Sequence, residues 1–198
     1  MRRSPETTVD LLRHGVTARG GFLGSLDEPL TLLGLEQMRA AVRDDGPWDV
    51  IVSSPLARCA DFAREFAKRQ GIALHFDERL RELHFGEWEG MSAEQLMQTQ
   101  PDALARFWDD PYCHPAPGGE TLSAFEKRVL TAWRDLVRCY AGHRVLVIAH
   151  GGVIRIILCR VRGLPRTALL RLGVPHASLH RVTARDSAAL ATSHHITR

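Results

Sequence analysis

A chain of 198 residues is long enough to bury most of its apolar surface in one domain without disulfide or metal staples. Apolar residues make up 44% and charged residues 25%, both near globular averages, which excludes disordered and fibrous classes. The net charge of +3 comes from 26 basic and 23 acidic residues spread along the chain, which attracts anions but lacks the dense Lys/Arg block of a nucleic-acid footprint.

The start, Met1-Arg2-Arg3-Ser4-Pro5-Glu6, is basic but leads into a short β-branched and apolar strand at residues 7–12, not into a signal-peptide core. Residues 31–43 carry apolar positions at helical spacing with Thr31 as N-cap. A second strand at 48–52 precedes a helix with Pro55 in its first turn, which runs to Gln70 and stops at Gly71. Residues 72–76 read as a third strand. From 77 to 120 the character changes to charged loops, two short helices, one opened by the capping box Ser92-Ala93-Glu94-Gln95, and the Pro/Gly-rich stretch 115–119. Ser123-Ala124-Phe125-Glu126 is read as the cap of a long helix ending near Tyr140. The apolar run 144–149 suits a central parallel strand, a helix follows over 151–162, and weaker strands are expected near 178–182 and 190–196.

This alternation predicts one doubly wound α/β domain over residues 1–198, with the segment 77–120 inserted as a lid over one edge. No stretch approaches a membrane span. Cys59, Cys113, Cys139 and Cys159 have neither metal nor disulfide-framework spacing and read as small hydrophobes in a reducing, cytoplasmic setting. No membrane or nucleic-acid partner is expected. The oligomeric state is left open, a homodimer included.

Two strands end in His-Gly, as Arg13-His14-Gly15 and as Ala149-His150-Gly151-Gly152. In open α/β sheets ligands bind beyond the carboxyl ends of the strands, so the two histidines are placed to share a crevice. Gly151 opens a helix whose N-terminus favours an anion. Arg58 falls early in its helix, where the dipole does not favour a cation, and an anionic partner accounts for it better. Arg13 and Arg58 supply planar, bidentate donors for phosphate oxygens. Glu82, beside Leu83, Phe85 and Trp88, is the candidate for proton transfer. Each residue alone has an ordinary reading: a turn histidine, a surface arginine, a solvated acid. Their conjunction at strand ends carries the argument. Trp48, Trp88, Trp108 and Trp133 read as packing, with Trp88 and Trp108 also placed to meet a substrate ring, and His176 reads as structural.

Together these segments resemble the histidine phosphatase superfamily, the phosphoglycerate-mutase-like group. The resemblance rests on Arg13-His14-Gly15-x-Thr17, Pro29-Leu30-Thr31-x-x-Gly34-x-x-Gln37, Ser53-Ser54-Pro55-Leu56-x-Arg58, Glu82 with Phe85-Gly86-x-x-x-Gly90, Pro117-Gly118-Gly119-Glu120, and His150-Gly151. It implies a three-layer, mostly parallel sheet with helices on both faces. It implies that His14 takes a phosphoryl group while its other ring nitrogen is fixed by a backbone carbonyl. Arg13, Arg58 and His150 would hold the phosphate oxygens, and Glu82 would protonate the leaving oxygen and then activate water. This scheme uses no metal and no cofactor. The pattern departs at Val16 and Gly20, where family members often carry an acidic residue and an Asn. The run Gly24-x-x-Asp27-x-Pro29-Leu30-Thr31 and the acid loop are most similar to those of α-ribazole phosphatases, which implies a small phosphorylated metabolite, α-ribazole 5′-phosphate, as substrate. Other small phosphomonoesters, a mutase activity and a non-enzymatic phosphate-binding role are the alternatives.

Overall fold

The computed structural model describes residues 5–185. Five strands form one sheet: β1 (Thr7–Arg13), β2 (Val50–Ser53), β3 (Ala73–Phe76), β4 (Arg144–Ala149) and β5 (Leu179–Ala184). Their order is β3-β2-β4-β1-β5, with β5 antiparallel and every other pairing parallel. The proposed strand at 190–196 lies outside the described residues.

Both faces of this sheet are covered. Val9, Leu11, Val50, Val52, Val145 and Val147 pack on one side against α5 (Leu122–Cys139) and α6 (Gly151–Val161). Leu12, Ile51, Leu146 and Ile148 pack on the other against α1 (Leu32–Ala41) and α2 (Ala57–Gln70). The alternation follows from the two-residue period of a strand. β4 is apolar throughout because both its faces are buried. The result is the doubly wound α/β architecture with helices on both faces. The segment 77–120 holds two 3₁₀ turns (Glu78–Leu80 and Gly86–Trp88), α3 (Ala93–Thr99) and α4 (Pro101–Asp109), around a small core of Trp88, Leu96, Leu104 and Phe107.

Thr31 caps α1, accepting from the Gly34 N–H at 3.0 Å, and Ser92 with Gln95 closes the expected capping box. Several boundaries differ from the sequence reading. Pro55 lies before the N-cap Leu56 rather than in the first turn of α2, because Ser54 is still tied to the sheet through the Ile148 carbonyl. Thr121, not Ser123, caps α5, which starts early enough to bury Leu122 in the core. Residue 48 also falls outside β2: the buried Trp48 turns aside and donates Nε1–H to Asp10 Oδ2 at 2.8 Å.

Asp10 is a fully buried carboxylate in mid-strand. It also accepts from Arg144, at 2.9 Å and 3.0 Å, and from Arg181, at 2.7 Å and 3.3 Å, so the charge is paired on every side. Burial alone pushes its pKa up, but the bonds from Arg181, Trp48 and Arg144 outweigh that and hold it below the ordinary value. A depressed carboxylate pKa stabilises the fold above about pH 4, and that contribution is lost as pH falls through the folded value. Asp10→Ala leaves Trp48 Nε1 and Arg144 without their partner and should cost about 3 kcal/mol in urea unfolding at pH 7. The difference from wild type should shrink on titration toward pH 3; equal stability of the two proteins at pH 7 would contradict this account.

Candidate active site

The parallel register of β1 and β4 pairs Arg13 with Ala149, so the next residue on each strand, His14 and His150, emerges at the same edge. Their ring centroids are 5.3 Å apart. β1 connects through α1 toward β2 on one side, and β4 connects through α6 toward β5 on the other. This is the switch point where open α/β sheets leave a crevice. Arg13, His14, Arg58, Glu82 and Gly151 all line one cavity there, of about 500 Å³.

His14 is 5% exposed, with Nδ1 2.8 Å from the Gly15 carbonyl. A carbonyl only accepts, so Nδ1 carries the proton and Nε2 is the free, unprotonated nitrogen. Burial, followed by the charges of Arg58, Arg13 and His176, outweighs the Gly15 bond and lowers the His14 pKa to about 3. The turn after β1 packs so tightly on the start of α1 that a Cβ on Gly15 would overlap the Gly34 carbonyl, and one on Gly34 the Val16 carbonyl.

Arg13 donates from Nη1 to the Val174 carbonyl at 2.6 Å and from Nη2 to His176 Nε2 at 3.0 Å, while its buried Nε has no partner. Arg58 is placed differently from the sequence expectation of a guanidinium free for an anion. Its Nη1 donates to the Leu26 carbonyl (2.6 Å), its Nη2 to the Gly24 carbonyl (2.7 Å) and its Nε to His150 Nδ1 (3.1 Å). It therefore pins the loop after β1 while still bordering the cavity. Since Arg58 donates to Nδ1, His150 bears its proton on Nε2 and gives it to Ser54 Oγ at 2.7 Å. His150 is fully buried behind the cavity wall, and burial, with the charges of Arg58, His14 and Arg13, holds it neutral.

Glu82 is half-buried among the expected apolar neighbours, yet both its oxygens meet main-chain donors: Oε1 accepts from Leu83 N–H at 3.0 Å and Oε2 from Gly152 N–H at 2.9 Å. A Cβ on Gly152 would overlap Oε1, so only glycine permits this seat. Arg128 on α5 fixes the acid loop from behind, donating to the carbonyls of Arg79, Arg81 and Glu82 and pairing with Glu120 at 2.8 Å.

The sequence reading missed three contributors. His176, taken as structural, lines the cavity with its ring 5.4 Å from that of His14. Its position just before the strand that pairs with β1 was the available signal. Glu89 binds the first loop to the acid loop, accepting from Ser25 N–H (2.6 Å), Ser25 Oγ (2.8 Å) and Phe85 N–H (3.2 Å). No sequence signal separates it from the exposed Glu87. Arg155 borders both this cavity and a second one. Gly20, at the departure from the family pattern, lines the cavity with open space where a side chain would stand, and Arg19 lies beside it.

The second cavity, of about 250 Å³, adjoins the first and shares Phe22, Glu82, Phe85 and Arg155 with it. Its walls include Phe107, Trp108 and Leu170, and Trp108 is half exposed. Phe22 reaches over from the first loop, its ring edge-on to Phe85 at 4.9 Å.

The crevice thus brings together arginines, a neutral, tautomer-locked histidine and a carboxylate, and the chain that builds it matches one family over nearly its whole length. The model of the histidine phosphatase superfamily (branch 1) covers residues 9–196. The chain belongs to this superfamily. Curated relatives include a "Putative phosphoserine phosphatase 2" of Hydrogenobacter thermophilus, 33% identical over 177 residues and 87% of each chain. A "Probable phosphoglycerate mutase" of Yersinia pestis is 30% identical over 190 residues, 93% of this chain and 88% of the relative. Among solved structures, a mycobacterial glucosyl-3-phosphoglycerate phosphatase superposes with a TM-score of 0.79 at 30% identity over 90% of both chains. The α-ribazole phosphatase of Shigella flexneri does so at 0.78 and 26%, over 88% of this chain and 89% of that one. No helix among the described residues is long and apolar enough to cross a membrane.

The His14 assignment is open to direct measurement. In ¹H–¹⁵N spectra of labelled protein, its ring should show the Nδ1–H tautomer and no titration between pH 5 and 8, because its pKa is about 3. A His14 ring that titrates near pH 6.5 would refute this buried, neutral setting.

Proposed function

We propose that this member of the superfamily is a metal-independent phosphomonoesterase that works through a phosphohistidine at His14. The observation that carries the proposal is the locked His14 tautomer, which leaves an unprotonated Nε2 at the edge of a cavity lined by arginines. In the first step Nε2 attacks phosphorus, the P–O bond to the leaving group breaks, and Glu82, in its acid form, gives its proton to the departing oxygen. In the second, water attacks phosphorus, the Glu82 carboxylate takes the water proton, and the P–N bond breaks to release inorganic phosphate. His14 and Glu82 end as they began. Arg13 and Arg58 balance the charge on the phosphoryl oxygens, where phosphoryl transfer gains most. His150 stands behind them, with its Nε2–H given to Ser54. The start of α6 at Gly151 adds a favourable dipole.

For the substrate we favour α-ribazole 5′-phosphate. Glu82 borders both cavities, so a leaving group whose oxygen it protonates extends into the apolar one, and the Trp108 and Phe107 walls suit a flat heteroaromatic ring. The similarity to α-ribazole phosphatases supports the same reading. A sugar phosphate would use the polar cavity alone. Mutase activity would require that water be kept from the phosphohistidine, and the cavity mouth is open to solvent at Arg19 and Gly20, both exposed.

The mechanism predicts hydrolysis of p-nitrophenyl phosphate that is indifferent to EDTA. It predicts loss of about 10³-fold or more in kcat for His14→Ala, and about 10²-fold for Glu82→Gln. Hydrolysis that survives in His14→Ala, or that needs an added metal, would overturn it. Gly152→Ala should mimic Glu82→Gln by unseating the carboxylate, lowering kcat while leaving phosphate inhibition near wild type. For specificity, kcat/KM should be highest for α-ribazole 5′-phosphate when measured beside 3-phosphoglycerate, phosphoserine and fructose 2,6-bisphosphate. A higher value for any of the others, or conversion of 3- to 2-phosphoglycerate in preference to hydrolysis, would displace the substrate assignment.

A further inference from the structure

Arg155 lies one helical turn after Gly151 on α6, and long side chains on a helix lean back toward its N-terminus, which brings this guanidinium over the first turn. Its Nε–H is fixed to the Leu172 carbonyl at 2.9 Å, which sets the plane of the group. Among the described residues, no carboxylate pairs with it and its Nη atoms have no hydrogen-bond partner, although it is half-buried at the seam of the two cavities. The point where a Gly151 Cβ would stand is 3.2 Å from Arg155 Nη1 and 3.5 Å from Arg13 Nε. Arg13 Nε is the buried N–H left without a partner. Two guanidinium edges therefore converge over one glycine, each with donors to spare; Glu82 is the nearby carboxylate whose charge reaches Arg13, but it gives its oxygens to the Leu83 and Gly152 N–H groups and pairs with neither arginine. Arg58, by contrast, has all three of its nitrogens engaged by the protein.

Like charges held together at a half-buried site are stabilised by an anion that accepts from both. We infer that Arg155 is a substrate-binding residue, which with Arg13 grips the transferring phosphoryl group over Gly151 on the side facing the leaving oxygen. This rests on the phosphatase reading for the identity of the anion. It assigns the grip to the two free arginine edges. The Gly151-Gly152 pair then has two separate tasks, because Gly151 leaves room for the anion between the arginines and Gly152 leaves room for the Glu82 carboxylate.

The probe is inorganic phosphate, titrated calorimetrically into wild type, Arg155→Met and Arg155→Lys. Loss of a charge-assisted bond predicts about a ten- to hundredfold weaker Kd for Arg155→Met, with Arg155→Lys in between. A purely structural role through Leu172 would instead lower the melting temperature of Arg155→Met while phosphate bound its folded form as in wild type. A parallel measurement needs no variant: phenylglyoxal modification of Arg155 in the native chain, read by mass spectrometry, should slow when phosphate is present. Phosphate affinity in Arg155→Met within twofold of wild type, no binding to wild type at all, or an unchanged modification rate would each overturn the inference. Turnover is a separate readout. A wild type that binds phosphate through Arg155 but hydrolyses no phosphomonoester would sink the phosphatase reading and leave this one standing. Normal turnover with normal phosphate binding in Arg155→Met would do the reverse.

Discussion

The parallel pairing of β1 with β4 is the constraint on which the site depends. One register, Arg13 against Ala149, carries His14 and His150 to the same edge, and a slip of one residue would turn each side chain to the opposite face. The register is well determined because both strands are buried on both faces and bury alternate residues in two different cores. The Asp10 network acts further along the same strand, where Arg144 of β4 and Arg181 of β5 bind one carboxylate on β1. Strand pairing and ion pairing thus fix the same alignment.

Around that edge the site is built by loops that clamp one another. Arg58 is held by carbonyls of the first loop, Glu89 holds that loop to the acid loop, and Arg128 holds the acid loop to α5. Glycines appear where two of these parts come too close for a Cβ. One on Gly24 would overlap Glu89, and one on Gly152 would overlap Glu82. Such mutual support holds the side chains around the crevice in fixed positions.

The electrostatic pattern is equally consistent. The histidines at the crevice are driven toward the neutral form by burial and by the arginine charges beside them: His14 falls to about 3, His176 to about 4, and His150 well below its ordinary value. His14 thus keeps a ring-nitrogen lone pair free beside the arginines that line the crevice.

The sequence by itself determined the α/β class and the His-Gly strand ends, and it singled out Arg13, Arg58 and Glu82, which the fold brings to one cavity. These are written in local patterns: apolar runs of strand length, capping signals and glycines beside charged residues. It did not separate Thr121 from Ser123 as a cap, because both precede a helical pattern and only the burial of Leu122 decides between them. Nor did it distinguish Glu89 from Glu87, give His176 its place beside Arg13, or show that Arg58 spends its donors on carbonyls while Arg155 keeps its own. Those outcomes depend on which distant backbone atoms come within hydrogen-bond reach. The tertiary structure alone decided them, because a side chain's partners are set by packing across the sheet and not by its neighbours in the chain.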